Sequence, residues 1–348
     1  MKRVVSLVPA GTETLIELGC LRNIVGVSHG SEWEISGVKA VTRAKFDEEG
    51  LTSEEISALF KVSCSEGMLY GLEGGAREEV ALVRMRLCSY FWTEPEVLAS
   101  LDPDVVVTVV DGSEMAGFDD IRWALRTLLN GKDVEIINFN PYSMAQTFKL
   151  TKEIAQVVGI PEEGLDYVRD YQTRLQNIAN REVARRIPSV VTLQWLEPLY
   201  VSGTWTPELV RYAGGRSLFC RPGEPSKAVT WSEMNKENPD IVIFCLCGLS
   251  IEGSVNEIKR IQKQSPELRK LLEKSFDRIY VVDARRLFSQ PSVCTLVDSA
   301  TVLGEVVEDR LNAVEMIRPK SSKSSPLWIK LPSMVSRIPR KSSLAMVA

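Results

Sequence analysis

One stretch of the chain concentrates side chains suited to holding a large organic molecule. Two indoles, Trp195 and Trp205, enclose a tyrosine, a proline and a glycine. The apolar run 190–195 predicts a buried strand before them, and residues 206–208 predict a helix start after them. Open α/β sheets bind ligands in loops at the carboxyl ends of their strands. The stretch therefore predicts a loop for a flat, partly apolar ligand, with core packing of both indoles as the alternative.

Three more loops follow predicted strands in the same way, at 9–13, 29–33 and 247–249. In a protein with two α/β lobes, the ligand is expected between the lobes. Aromatic faces and the backbone amides at two helix starts could hold a macrocycle and its amide or phosphate fringe. The candidate contact residues of the four loops are Pro9, Ala10, Thr12, Glu13, His29, Glu32, Trp33, Trp195, Pro198, Gly203, Thr204, Trp205, Cys247 and Gly248.

No catalytic constellation is recognisable, so the sequence predicts a binding protein and no enzyme. His29 is the one histidine of the chain. It could ligate the metal centre of a cofactor, or it could be a loop histidine bonded to the backbone. Glu13 and Glu32 could act as acid and base on a small metabolite, but nothing in the sequence brings them together. Cys245 and Cys247 are too close for a zinc knuckle, and no metal site is predicted.

Length and composition allow two domains of ordinary size. The chain has 348 residues, of which 44% are hydrophobic and 25% charged, and its net charge of -4 gives no sign of a nucleic-acid partner. No apolar run approaches the length of a membrane span. The first apolar run is too short for a signal peptide and contains Pro9. A cytoplasmic location is therefore expected, or an extracytoplasmic one if the sequence is a processed form.

The order of predicted elements indicates two Rossmann-like lobes with parallel sheets, joined by one long helix. The N-terminal lobe covers 1–140, with an insertion at about 44–92. Linking helices cover 141–187 and a C-terminal α/β lobe covers 188–317. The tail, 318–348, is basic and rich in serine, which predicts disorder.

Internal similarity supports two lobes of one kind. Strand, helix and glycine follow each other at the start of both. In addition, two predicted capping boxes, 93–96 and 230–233, each lead through a Pro-Asp turn into an apolar strand. The Cys247-Gly248 turn follows the second of these strands.

These motifs resemble the vitamin B12-binding proteins, which belong to the helix-linked (class III) substrate-binding proteins of ABC importers. The closest likeness is to a signal-less branch of the Fe/B12 periplasmic-binding type, and it covers roughly residues 3–312. The resemblance implies cobalamin as the ligand, an ABC importer or another cobalamin-handling protein as the partner, and a monomer. It also adds Phe288 to the candidate site. The residues that carry it are 3–15, 26–29, 195–198, 203–210, 213–215, 229–233, 238–240, 247–248 and 278–283.

Two loops depart from the family pattern. Where the family has His-Glu-Cys-Asp-Tyr-Pro, this chain has His29-Gly-Ser-Glu-Trp-Glu34, and Gly-His-Trp is replaced by Gly203-Thr204-Trp205. The leading expectation is a non-catalytic corrinoid binder that serves uptake or intracellular handling. The alternatives are a haem or iron-siderophore binder, an interaction protein that has lost its ligand, and an enzyme acting on a small metabolite.

Overall fold

Two β-sheets, each packed against helices and joined by a pair of helices, confirm the predicted fold class. The computed structural model describes residues 1–31, 33–45, 51, 54–56, 58–59, 92–109, 118–180, 187–274, 278–311 and 327–331. Of the candidate site residues, Glu32 lies outside this set, as does most of the predicted insertion. Within the described part of the chain, no helix is both long and apolar enough to cross a membrane.

The N-terminal sheet is entirely parallel, in the order β3-β2-β1-β6-β7. Its central strands β1 and β6 are buried along their whole length, as expected for continuous runs of β-branched residues covered on both faces. A separate antiparallel pair, β4 and β5, lies outside it. The elements are β1 Val4–Ser6, α1 Pro9–Glu17, a 3-10 turn Leu21–Asn23, β2 Ile24–Val27, β3 Lys39–Ala40, β4 Thr42–Arg43, β5 Trp92–Thr93, α2 Pro95–Ser100, β6 Val105–Thr108, α3 Phe118–Leu128 and β7 Glu135–Asn138.

Two helices, α4 Met144–Val158 and α5 Pro161–Ala179, join the lobes. Gly159 ends α4 with a left-handed φ of 90°, a conformation that favours glycine. A Cβ on Gly164 would lie 2.2 Å from the Cβ of Ala155, so the two helices pack closely at this glycine. The described part of the predicted long helix ends at Ala179, which is short of the expected residue 186, and residues 181–186 lie outside the described set.

The C-terminal sheet is mixed, in the order β11-β9-β8-β12-β13-β14, with the short β10 beside β8. The central strands β8, β12 and β13 are parallel, and each of β9, β11 and β14 pairs antiparallel with its inner neighbour. The elements are β8 Ser189–Leu196, β9 Leu199–Val201, α6 Thr206–Tyr212, β10 Arg216–Ser217, β11 Lys227–Ala228, α7 Trp231–Glu237, β12 Ile241–Phe244, α8 Ile251–Gln264, α9 Pro266–Lys274, β13 Ile279–Val282, α10 Ala284–Leu287, α11 Val293–Leu311 and β14 Trp328–Lys330.

The stretch predicted as one loop from Trp195 to Trp205 is a β-hairpin followed by a short connection. β8 turns at Pro198 and returns as β9, which places Tyr200 opposite Trp195. The apolar residues after the turn are extended and lie between β8 and β11, where they form the backbone hydrogen bonds that a loop would leave unmade. The helix after it also starts one residue earlier than predicted, because Trp205 is its N-cap and Thr206 lies inside it.

The tail 318–348 was predicted to be disordered, and this is wrong for one segment. β14 pairs antiparallel with β13 and adds a strand to the sheet. The Trp328 ring lies 5.9 Å from the Tyr280 ring between centroids, and Leu331 is buried. These apolar contacts explain the order, because burial of the indole and the leucine offsets the entropy cost of fixing the chain. The rest of the tail lies outside the described residues.

The Trp328→Ala variant tests whether this strand stabilises the C-terminal lobe. Its half-buried ring contacts Tyr280, and its Nε1 donates to the Glu305 carboxylate at 2.8 Å. We expect the free energy of unfolding to fall by about 1.5 kcal/mol in urea denaturation, roughly half the cost of truncating a fully buried aromatic. Trp123→Ala, on the exposed Trp123 of α3, is the matched control. An equal effect of the two substitutions would contradict a stabilising role for β14.

Candidate functional site

The carboxyl ends of the two sheets meet at the boundary between the lobes. Glu13 lies in α1, directly after β1, and its Oε2 accepts a hydrogen bond of 2.8 Å from the Thr295 hydroxyl in α11. The hydroxyl of Ser292, in the loop before α11, donates to the same oxygen. Because these segments follow β1 and β13, strand-end segments of the two lobes contact each other here. The sequence predicts the ligand at this boundary, where Glu13 bonds to the opposite lobe.

Negative charge accumulates around this interlobe contact. The pKa of Asp298 is raised by burial and by the nearby Glu13 carboxylate, and the pKa of Glu17 is raised by the same two causes. The Arg174 guanidinium of α5 opposes both shifts. Burial raises the pKa of the Cys294 thiol to about 12, so this thiol stays protonated. The stabilisation from the two raised carboxyl groups is present at acid pH and lost as the pH rises through their pKa values.

His29, at the carboxyl end of β2, is held by Thr42. The Thr42 hydroxyl accepts from the His29 backbone N–H at 3.0 Å and lies 2.8 Å from ring Nδ1. Because this hydroxyl donates its own proton to Ser28, the network assigns the ring proton to Nδ1 and leaves Nε2 as the basic nitrogen. The residue is exposed, and partial desolvation of the ring lowers its pKa. A neutral imidazole with a fixed tautomer can bind a metal centre.

The pKa of His29 can be measured without ambiguity, because the chain has one histidine. We expect its ring resonances to titrate below the ordinary value of about 6.5 in NMR, because burial disfavours the charged ring. Because the folded state binds this proton less tightly than the unfolded state, protonation of His29 favours unfolding. The free energy of unfolding therefore decreases as the pH falls from about 6.5 through the folded-state pKa. Thr42→Val removes the hydroxyl, and we expect the Nδ1–H tautomer preference to weaken. A titration midpoint above 6.5 would contradict the burial argument.

The three tryptophans predicted to line the cleft differ in exposure. Trp33, in the loop after β2, is 46% exposed and its ring is available. Trp195 is half-buried, and its Nε1 donates to the Glu197 carbonyl at 2.9 Å. Trp205 packs against the C-terminal core, and its buried Nε1 has no hydrogen-bond partner among the described residues. Trp205 is therefore mainly a core-packing residue, as the alternative hypothesis predicted, whereas Trp33 remains a candidate ligand contact.

Gly203 and Thr204 are fixed by the loop that follows β10. A Cβ at Gly203 would lie 2.5 Å from backbone atoms of residues 224–226, so this position accommodates only glycine. The Gly203 N–H donates to the Ser226 hydroxyl at 3.1 Å, and the Gly223 N–H donates to the Thr204 carbonyl at 2.9 Å. Gly203 is therefore a packing residue, and its backbone N–H already donates to Ser226. Thr204 adopts a left-handed φ of 52° and is half-buried.

Besides Gly203, three of the predicted contact residues are buried in the lobes. Ala10 and Thr12 are buried in α1, with Thr12 0% exposed, and Phe288 lies in the C-terminal core at 8%. Their side chains pack the fold and do not reach the gap, which corrects the prediction for them. These residues were predicted as contacts because they adjoin strand ends, but α1 is buried on more than one face, with Ala10, Gly11, Thr12, Thr14 and Leu15 all buried.

The remaining predicted residues lie at the surface of the strand-end loops. Pro9 is half-buried at the start of α1, and Cys247 and Gly248 are exposed after β12. Gly248 adopts a φ of 75°, and its N–H donates to the Ser289 hydroxyl at 2.8 Å. Among the described residues, no group of three or more His, Cys, Asp or Glu side chains could hold a metal ion.

A cavity of about 720 Å³ opens beside the turn of the β8–β9 hairpin, within the range of small-molecule sites. Glu54 and Ala58, from the segment between β4 and β5, form one side of it. The C-terminal lobe forms the other, with Pro198 as the one predicted contact residue among the lining. The remaining lining residues were missed, although Trp231, directly after the capping threonine of α7, was an available signal. They are Leu196, Glu197, Leu199, Val229, Thr230, Trp231, Ser232 and Glu267.

Comparison with known proteins identifies the family to which this two-lobe fold belongs. The family model described as "Periplasmic binding protein" matches residues 4–271. The chain belongs to this family. Periplasmic binding proteins bind small molecules and work with ABC importers, and they are not enzymes. A search of curated proteins found no match to the sequence.

Solved structures of periplasmic binding proteins share the fold at low sequence identity. An ABC transporter substrate-binding protein from Listeria monocytogenes has a TM-score of 0.61 at 16% identity, over 89% of this chain and 99% of that one. The periplasmic vitamin B12 binding protein BtuF of Vibrio cholerae has 0.56 at 14%, over 89% and 98%. The periplasmic heme binding protein HutB of Vibrio cholerae has 0.57 at 16%, over 88% and 98%. Identities this low establish the fold alone.

Proposed function

We propose that this periplasmic binding protein binds a corrinoid such as cobalamin in the gap between its lobes, without catalysis. The observation that carries the proposal is the meeting of the strand-end loops of both lobes at the Glu13 contact. The exposed Trp33 ring faces solvent in one of these loops, and the cavity of about 720 Å³ lies beside another. An exposed indole face suits a flat macrocycle with an apolar surface. Among proteins of the same fold, BtuF is a vitamin B12 binding protein.

Haem is the second candidate, and His29 is the observation that favours it. The residue is exposed, and partial desolvation lowers the pKa of its ring, which favours the neutral imidazole. A neutral imidazole of this kind is a usual axial ligand of haem iron. HutB, of the same fold, is a heme binding protein. The two ligands would depend on different residues: a corrinoid on the apolar face of Trp33, and haem on the imidazole of His29.

Titration with cyanocobalamin and with haemin, followed by calorimetry and visible absorbance, tests both candidates. For a corrinoid, we expect Trp33→Ala to weaken binding about tenfold, equivalent to the 1–2 kcal/mol that an aromatic contact contributes. Trp123→Ala, at a similarly exposed tryptophan of α3, leaves binding unchanged. No heat and no band shift with cyanocobalamin at tens of micromolar would overturn the corrinoid proposal. A haemin Soret shift abolished by His29→Ala would then establish the second candidate.

The cellular role follows from where the protein meets its ligand. As the cellular role, we propose handling of the corrinoid in the cytoplasm. An extracytoplasmic protein would instead deliver the corrinoid to an ABC importer. Fractionation of cells that express the full-length gene distinguishes the two, since export would place the protein outside the cytoplasmic fraction.

A further inference from the structure

Gln194 is a half-buried residue near the carboxyl end of β8, a central strand of the C-terminal sheet. The pairing of β8 with β9 is irregular at this point. Leu193 pairs with Val201 and Trp195 pairs with Tyr200, which leaves Gln194 as the extra residue of a β-bulge. Bulges redirect a side chain and are frequent next to functional sites. Because α/β sheets bind ligands at the carboxyl ends of their strands, Gln194 is a candidate contact that the sequence did not indicate.

The side-chain amide of Gln194 is held in one orientation by Ser226. The Ser226 hydroxyl accepts from the Gly203 N–H at 3.1 Å and donates to Gln194 Oε1 at 2.9 Å. With the amide turned over, the hydroxyl proton would have no acceptor among the described residues. The backbone is fixed as well, because the Cys247 N–H donates to the Gln194 carbonyl at 3.0 Å. The amide oxygen therefore lies towards Ser226, and the amino group lies on the other side.

The amino group of Gln194 offers two N–H donors that no described residue accepts. Its nitrogen is also not one of the buried polar atoms without a partner, so it reaches the surface. In the free protein these donors bond to water, which a ligand can displace if it presents an acceptor of its own. Since the direction of the donors is already set, such an acceptor binds without a further cost for ordering the side chain.

Resting on the proposed function, we propose that Gln194 is a ligand-contact residue that donates its Nε2–H groups to an oxygen on the rim of the bound macrocycle, with Ser226 as its positioning residue. For a corrinoid, the acceptor is the carbonyl oxygen of a rim amide. For haem, it is the carboxylate of a propionate. Both macrocycles share this contact, whereas Trp33 and His29 distinguish them. The backbone of Gly203 contributes to the same network, since its N–H orients the Ser226 hydroxyl.

Gln194→Glu tests the contact with a side chain of almost the same size. A glutamate oxygen can still accept from Ser226, but the N–H donors are lost and a negative charge faces the acceptor oxygen of the ligand. We expect the affinity for cyanocobalamin to fall at least tenfold in calorimetry, with an unchanged midpoint of urea denaturation. Gln262→Glu, at a half-buried glutamine in the last turn of α8, is the matched control and leaves the affinity unchanged. An unchanged affinity in Gln194→Glu, or an equal loss in the control, overturns the contact.

Ser226→Ala tests the positioning role. Without the hydroxyl the amide can turn over, and we expect the affinity for cyanocobalamin to fall about threefold. Combining Ser226→Ala with Gln194→Glu should weaken binding no more than Gln194→Glu alone, because the serine acts through the glutamine. In NMR spectra of the parent protein, the Gln194 side-chain N–H resonances should shift when the ligand is added. Additive losses in the double variant refute the positioning role, and unshifted resonances refute the contact.

Failure of the contact and failure of the proposed function give different results. If cyanocobalamin binds the parent protein and Gln194→Glu equally well, the proposed function stands and the contact is wrong. If cyanocobalamin does not bind, the corrinoid proposal fails, and the same variants are titrated with haemin. A tenfold loss of haemin affinity in Gln194→Glu then supports the contact. An unchanged haemin affinity, or no binding of either macrocycle, overturns it.

Discussion

Replacing Glu13 by alanine is expected to lower the free energy of unfolding by about 2–3 kcal/mol and to loosen the two lobes. The carboxylate of Glu13 accepts from Ser292 and Thr295 across the lobe boundary. Hydrogen bonds to a charged group contribute roughly 1.5–3 kcal/mol each, and both hydroxyls belong to buried residues that would lose a partner. Relief of the repulsion with Glu17 and Asp298 offsets part of this loss. Urea denaturation measures the first effect, and X-ray scattering of the free protein measures the second.

Glu13→Gln separates the hydrogen bonds from the charge. The amide oxygen can still accept from Thr295, while the repulsion disappears, so we expect a loss of less than about 1 kcal/mol. The pKa values of Glu17 and Asp298 should both move down towards the ordinary carboxyl range in this variant, which NMR titration can follow. Glu163→Gln, at the exposed start of α5, is the matched control. If Glu13→Ala proves as mild as Glu13→Gln, the interlobe bonds do not hold the lobes together.

This contact shows what the sequence could not predict. Glu13 was identified as a strand-end residue, which is correct, because the strand–turn–helix pattern is local in sequence. Its partners lie 279 and 282 residues further along the chain, and no periodicity links them. A pattern can therefore locate the edge of a sheet that carries the site, but the pairing across the lobes depends on how two separately folded sheets are oriented.

The same limit explains the hairpin and the tail. Thr230 was predicted to cap α7 in a capping box, and the structure confirms it, because all its partners lie within three residues. The parallel strands β1, β6, β8 and β12 were also predicted, because β-branched runs of this length indicate buried strands. By contrast, the apolar run at Tyr200 is only three residues long, too short to indicate a strand by itself, and it forms one by pairing with β8. Trp328 similarly depends on Tyr280, which precedes it by 48 residues.

Gly203 provides the sharpest test of whether the hairpin connection is built for packing or for ligand contact. We expect Gly203→Ala to lower the free energy of unfolding by about 3 kcal/mol, because its Cβ would lie 2.5 Å from backbone atoms of residues 224–226. Backbone cannot rotate away as a flexible side chain can, so the whole loop after β10 must move. The hydrogen bond from the Gly203 N–H to Ser226 would lengthen with it. Urea denaturation measures the loss.

Gly253→Ala is the control, for which we expect the free energy of unfolding to change in the opposite direction. Gly253 lies inside α8, and a Cβ there would meet its nearest atoms at 3.6 Å, an ordinary contact. We expect this variant to be more stable by about 0.5–1 kcal/mol, since alanine restricts the unfolded chain and favours a helix. If Gly203→Ala folds with unchanged stability but loses cyanocobalamin binding, the glycine exists for close approach of a ligand. If both are lost together, the loop clamp explains Gly203, and the binding surface of this connection is confined to Thr204 and the exposed edge of Trp205.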